Sequence, residues 1–181
     1  ALFKELGVNW WPLIETQMEI IKHFEVYIAA QKATGIQFIV FGGLLLISVI
    51  LLHFSQLNPI TQGLRNGFFV ISILLLVSGI GFILNQNTLL KTKTETYQSN
   101  QLEFKQQEID RMLQVNKSVP NIILGLCTAL IILTLLLMFF MHQPFWKGVS
   151  FSVLIYFLGL LILESISLLS VKNYLESLLN L

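Results

Sequence analysis

Glu164 is the one acidic residue set within an otherwise apolar run of this chain, and it is the first place to look for chemistry. A charged side chain near the bilayer centre costs a few kcal/mol or more, so such a group is usually kept for an ion, a proton or a partner charge. Its depth depends on where its helix begins. A span opening at Phe145 brings Glu164 out at the membrane interface, whereas one opening at Phe151 leaves it buried. No second charge lies in the apolar runs, so a proton or ion pathway has only one carboxylate to work with.

The remaining reactive residue types do not assemble into a motif. His53 and His142 fall near the ends of two apolar runs, and His23 precedes the first. Metal sites favour clustered ligands with spacings such as H-x-x-x-H, and these histidines are far apart. Cys127 is the only cysteine and sits inside an apolar run, so an internal disulfide is impossible. The chain has no G-x-S-x-G elbow and no phosphate-binding loop. The expectation is a protein without catalytic, metal or cofactor residues, and not an enzyme. A formal charge of +1 gives no electrostatic reason to expect nucleic acid.

The elements that carry these residues follow from where charge is missing. Charged residues make up 12% of the chain, about half the usual share of roughly 25%. No Asp, Glu, Lys or Arg occurs in Ile36–Ile60, Gly67–Leu90, Ser118–Phe145 or Val149–Leu163. About 20 apolar residues cross a hydrocarbon core of about 30 Å, so four transmembrane helices are expected, near 35–54, 64–85, 120–141 and 147–168. Blocks such as Leu44-Leu45-Leu46-Ile47 lack the alternation of a barrel strand. Helices then satisfy every backbone group in lipid, so the fold class is an all-α integral membrane protein.

Residues 32–63 and 117–148 align without a gap at an offset of 85: Lys32 with Lys117, Phe54 with Phe139, Pro59 with Pro144 and Gly63 with Gly148. This pattern divides the chain into two tandem repeats, 1–90 and 91–181. Each is a transmembrane hairpin preceded by a cytosolic amphipathic helix, near 13–32 and 101–117. In the first of these, Phe24, Tyr27 and Ile28 share an apolar face with Leu13, Ile20 and Ile21; in the second, Ile109, Met112 and Leu113 align with Leu102. Those six residues, Phe24 to Leu113, are the candidate interaction surface. Asn85 to Asn100 is rich in polar residues and reads as either a helix extension or a linker, and a short cytosolic tail follows the fourth span. Gly63 and Gly67 align with Gly148 and Ser152, and small residues at such spacing let helices approach closely. Gly125 and Ala129 suggest the same for the third helix.

Lys/Arg bias sets the expected orientation. Nine of the basic residues lie on the side of the termini and central loop, against Arg65 and Lys147 in the two short turns. Both termini are therefore expected in the cytosol, in a cytoplasmic membrane. The preference for Lys over Arg and the many Ile and Asn residues suggest a bacterial one. The first 30 residues carry four Glu and do not resemble a secretory signal. Trp10 and Trp11, before Pro12, are expected in the headgroup zone. The functional expectation is an interaction protein of that membrane, contacting lipid and another protein or itself: a subunit or regulator of an assembly, or an immunity-type protein against a membrane-acting toxin. A small oligomeric transporter or channel is the alternative.

Overall fold

The computed structural model describes residues 11–55 and 58–180, with side chains from Glu19 onward except at 119, 120 and 122. The reading of Trp10, of the side chains before Glu19, and of Gln56 and Leu57 in the first turn falls outside the described residues. Four helices make up the fold: α1 (Trp11–His53), α2 (Pro59–Ser99), α3 (Gln101–Phe140) and α4 (Pro144–Asn180). All four are long and apolar enough to cross a membrane.

Each helix is longer than a bilayer requires. They contain 43, 41, 40 and 37 residues, and a rise of about 1.5 Å per residue makes each about 55–65 Å long, roughly twice the hydrocarbon thickness. The amphipathic and transmembrane segments expected as separate elements are therefore single continuous helices. In α3 the helix continues through Pro120, where a span was expected to open. Proline lacks the N–H that would bond to the carbonyl of Asn116, and one rung of α3 is missing there. The polar stretch after Asn85 is an extension of α2, not a linker. The hydroxyls of Thr88, Thr94 and Thr96 donate to carbonyls one turn back, which keeps them from competing for a turn. The C-terminal segment is likewise the end of α4.

The helix starts are written in short polar signals. Asn58 caps α2 by accepting the Thr61 N–H at 2.8 Å, with Pro59 in the first helical position. Asn100 alone separates α2 from α3; it accepts the Glu103 N–H at 3.2 Å and donates back to the Glu103 carboxylate at 3.3 Å, a close relative of the capping box.

α2 and α4 run parallel and meet along the middle of the bundle, with α1 packed on α2 and α3 on α4. α1 also touches α4, while α2 and α3 meet more sparsely. In the apolar half only a small cluster is buried, Phe38, Leu45, Phe68, Ile71 and Leu75. Large side chains such as Leu51, Val77, Leu126 and Phe139 face outward, as they do when lipid is the solvent. The polar half has the larger core, built on Phe24, Tyr27, Ile28, Phe104, Met112, Tyr174 and Leu178.

Candidate functional site

Glycines set the distance between the two central helices. A Cβ built on Gly63 would fall on the Phe145 carbonyl oxygen, and one on Gly148 would fall on the Ile60 carbonyl oxygen. A Cβ on Gly67 would fall on the Ser152 hydroxyl. Gly63, Gly67, Gly148 and Ser152 thus occupy one crossing at the turn end of the bundle, and their role there is packing within the chain. α1 and α2 approach in the same way through Gly35 and Gly79, where a Cβ on Gly79 would lie 2.7 Å from the Gly35 oxygen. The small-residue pattern of α3 has no such partner, because nothing lies within 4 Å of a Cβ on Gly125.

The candidate interaction residues divide when placed in the bundle. Phe24, Tyr27, Ile28 and Met112 are buried in the polar-half core, and Ile109 packs half-buried against it. Only Leu113 stays outward, at 47% exposure. The expected docking stripes are largely consumed by a core shared with α4, whose Val171, Tyr174, Leu175 and Leu178 are buried with them. Aromatic contacts tie this core together: Phe24 meets Phe104 edge-on at 5.5 Å, and Tyr27 stacks on Tyr174 at 4.6 Å.

Within this core lies a charge that the helical pattern did not reveal. Glu108 is fully buried. Its carboxylate accepts from Arg111 at 2.6 Å, one turn along α3, and pairs with Lys93 of α2 at 3.3 Å. The Arg111 guanidinium also stands 5.7 Å from the centre of the Tyr27 ring, within cation–π range. Burial alone would lower the Arg111 pKa, but its hydrogen bonds and charge attraction to Glu108, with Tyr27 adding to them, raise it instead. Burial raises both Tyr27 and Tyr174 above the usual phenol value. Lone acidic residues flanking an apolar stripe ordinarily face water; the one available signal was the i,i+3 pairing of Glu108 with Arg111.

Glu164 lines a cavity of about 240 Å³ reached by all four helices. Gln31 and Thr34 of α1, Gln86 of α2 and Ser167 of α4 supply its polar wall. Gln31 is 4% exposed and Gln86 6%. The Ser167 hydroxyl donates to Gln31 Oε1 at 3.2 Å, yet Gln31 Nε2 and Gln86 Oε1 have no hydrogen-bond partner. Tyr27, Phe38, Phe82 and Leu168 form part of the apolar wall. Glu164 itself is half-buried. It stands twenty residues beyond the start of α4 at Pro144, which is about 30 Å along a helix and one hydrocarbon thickness from the turn end. The cavity therefore sits where the apolar half gives way to the polar half.

Gln31, Gln86 and Ser167 went unnoticed in the sequence because each is a lone polar residue at the edge of an apolar run, a common pattern at any membrane interface.

The other reactive residues stay apart. Arg65 Nη1 lies 3.3 Å from His53 Nδ1 at the turn end, His142 is exposed, and His23 is half-buried on α1. Among the described residues no group of three or more His, Cys, Asp or Glu is placed to hold a metal ion. A larger hollow of about 450 Å³ between α1 and α4 is lined by side chains such as Val40, Phe41 and Ile162 and lies in the apolar half.

Fold and site together define a class: an all-helical protein of the multi-pass membrane type, with four helices long and apolar enough to cross a membrane and a cavity of mixed polar and apolar walls near one end of their apolar runs. Compared with protein-family models, curated proteins and solved structures, the chain matches none of them.

Proposed function

We propose that this chain is a non-enzymatic interaction protein of a bacterial cytoplasmic membrane, a subunit or regulator of a membrane assembly or an immunity-type protein. It is built as two tandem helical hairpins with both termini in the cytosol. The repeat is supported by contacts that come in pairs: Gly63 with Phe145 and Val149, Gly148 with Ile60 and Leu64. Adding or subtracting 85 converts one set into the other, as expected when an approximate two-fold axis relates the halves.

The observation that carries the interaction reading is the outward face of α3 in the polar half. Leu102 is 83% exposed and Leu113 47%. Eleven residues apart, they share one face at 100° per residue, with Ile109 between them. α3 is also a helix with sparse cover from α2. Single exposed leucines are ordinary, but two on one stripe of one helix suit a partner helix laid alongside. The test is recovery of partners from membranes solubilised in mild detergent. Leu102→Glu combined with Leu113→Glu is expected to reduce recovery of a stoichiometric second protein while leaving membrane abundance unchanged. Undiminished recovery, or a parent chain that purifies as a single copy, overturns the reading.

The alternative, a small oligomeric transporter or channel, is favoured by one observation: the polar cavity with its unpaired amide atoms. A closed homo-oligomer by mass measurement, with no second protein, would select it.

A further inference from the structure

We propose that the cavity between the four helices is a binding site for a small primary amine that carries a neighbouring oxygen acceptor, an amino alcohol. The proposal rests on neither functional reading above, only on what the cavity walls leave unsatisfied. Three groups make three separate demands. Gln86 Oε1 is buried without a donor, Gln31 Nε2 is buried without an acceptor, and Glu164 has no ion-pair partner among the described residues. An unsatisfied buried polar atom costs about 1–3 kcal/mol.

The lining selects among ligands. It contains no Lys, Arg or His, so its only formal charge is the carboxylate of Glu164, and an anion has nothing to bind it. A bare alkali ion would satisfy Glu164 and Gln86 but would face the N–H groups of Gln31 Nε2. Water can meet both amides but brings no charge to Glu164. A quaternary ammonium has no N–H for Gln86 Oε1. A primary ammonium supplies up to three donors, enough for Glu164, Gln86 and one hydroxyl, and an oxygen a few bonds away accepts from Gln31. The volume agrees: about 240 Å³ is well above the roughly 10–15 Å³ of such space that a single water needs. That is room for several heavy atoms, with the carbon chain lying against Phe38, Phe82 and Leu168.

The test uses the full chain in phosphatidylcholine nanodiscs, whose lipid amine has no N–H, and measures calorimetric binding and thermal unfolding with ethanolamine. Ethylene glycol, choline and sodium chloride at matched ionic strength are the comparisons. A saturable ethanolamine response that the other three lack is expected. Glu164→Gln should weaken it by about tenfold or more, the usual worth of a hydrogen bond to a charged group. Gln31→Leu should weaken it too, while Glu176→Gln, on the exposed end of α4, should leave it unchanged. Glu164→Gln removes an unpaired charge from a half-buried position, so the variant should melt without ligand no lower than the parent; a lost response in a well-folded variant then reports the site. No saturable ethanolamine response, an equal response to ethylene glycol or sodium, or full binding by Glu164→Gln overturns the proposal.

Discussion

Gly67 of α2 lies directly against Ser152 of α4, the residue 85 positions further along the chain, so closely that a Cβ on the glycine would meet the serine side chain. Ser152 is fully buried and turns its hydroxyl back to the Val149 carbonyl at 2.6 Å. The polarity of this contact is thus satisfied within α4, and shape holds the crossing together. In lipid, where apolar burial gives little advantage, close backbone packing is the main attraction between helices.

That arrangement predicts a contrast among glycines. Gly63→Ala and Gly148→Ala should each destabilise the bundle by about 1–3 kcal/mol, the usual cost of forcing volume into a packed interface. Gly81→Ala and Gly125→Ala have open space around the new methyl. They should be neutral or stabilising by up to about 1 kcal/mol, because alanine is the better helix former. Reversible unfolding in mixed micelles, followed by circular dichroism, distinguishes the two pairs. Equal effects at all four positions would mean that the crossing contributes no stability.

Glu108 gives a second prediction. Glu108→Ala leaves Arg111 half-buried without its carboxylate, and removing one partner of a buried pair costs roughly 3–5 kcal/mol. Replacing all three charges, as Glu108→Leu with Arg111→Met and Lys93→Met, should restore most of that loss, since their desolvation cost disappears with them. The same micelle unfolding experiment measures both. A Glu108→Ala protein as stable as the parent would show that the network carries no energy.

The course of the helices was largely legible before the structure, and the limits of that reading have physical causes. Charge-free runs marked four spans, and Asn58-Pro59 marked the start of α2, because lipid and helix caps impose strong local rules. Composition changes at residues 33–34 and 118–119 and suggests boundaries there, but a helix does not need to break where its solvent changes. The apolar stripes of α1 and α3 are visible in the sequence, but whether Phe24 and Met112 face a partner or the bundle's own core is a tertiary matter that periodicity cannot decide. The cavity was the least legible feature. Only the packed bundle brings Gln31, Gln86 and Ser167 to the same level.

The tyrosine core predicts how stability responds to alkali. Tyr27 and Tyr174 are both raised above the ordinary value of 10.0, mainly by burial. Folding thus favours the protonated phenols. Their contribution is intact below about pH 10 and is lost as pH rises from there toward the folded-state values, because the unfolded chain ionises first. The Tyr174 hydroxyl also has no hydrogen-bond partner. Tyr174→Phe should therefore be neutral or stabilising by up to about 1 kcal/mol at neutral pH, and its stability should fall less steeply than the parent's in alkali. Comparing parent and variant at each pH cancels the contribution of lysine titration. A steeper alkaline loss in Tyr174→Phe would contradict the account.

Orientation in the membrane is the last prediction, and it follows from charge and helix length together. Each helix continues well past its apolar run at the same end of the bundle, and eight of the ten Lys and Arg residues among the described ones belong to that side. Translocating that end would carry most of the chain's positive charge across the membrane, whereas the opposite end offers only two short turns. The polar half should therefore stay in the cytosol. Gln98, near the end of α2, and Gln143, just before α4, are both exposed, so single cysteines there should be reachable without disturbing the core. In a Cys127→Ser background, an impermeant thiol reagent added to intact cells should label Gln143→Cys and not Gln98→Cys, and both should react once the membrane is opened. Labelling of Gln98→Cys from outside would invert the topology, place the cavity beside Glu164 near the external face, and remove the cytosol as the source of anything that binds it.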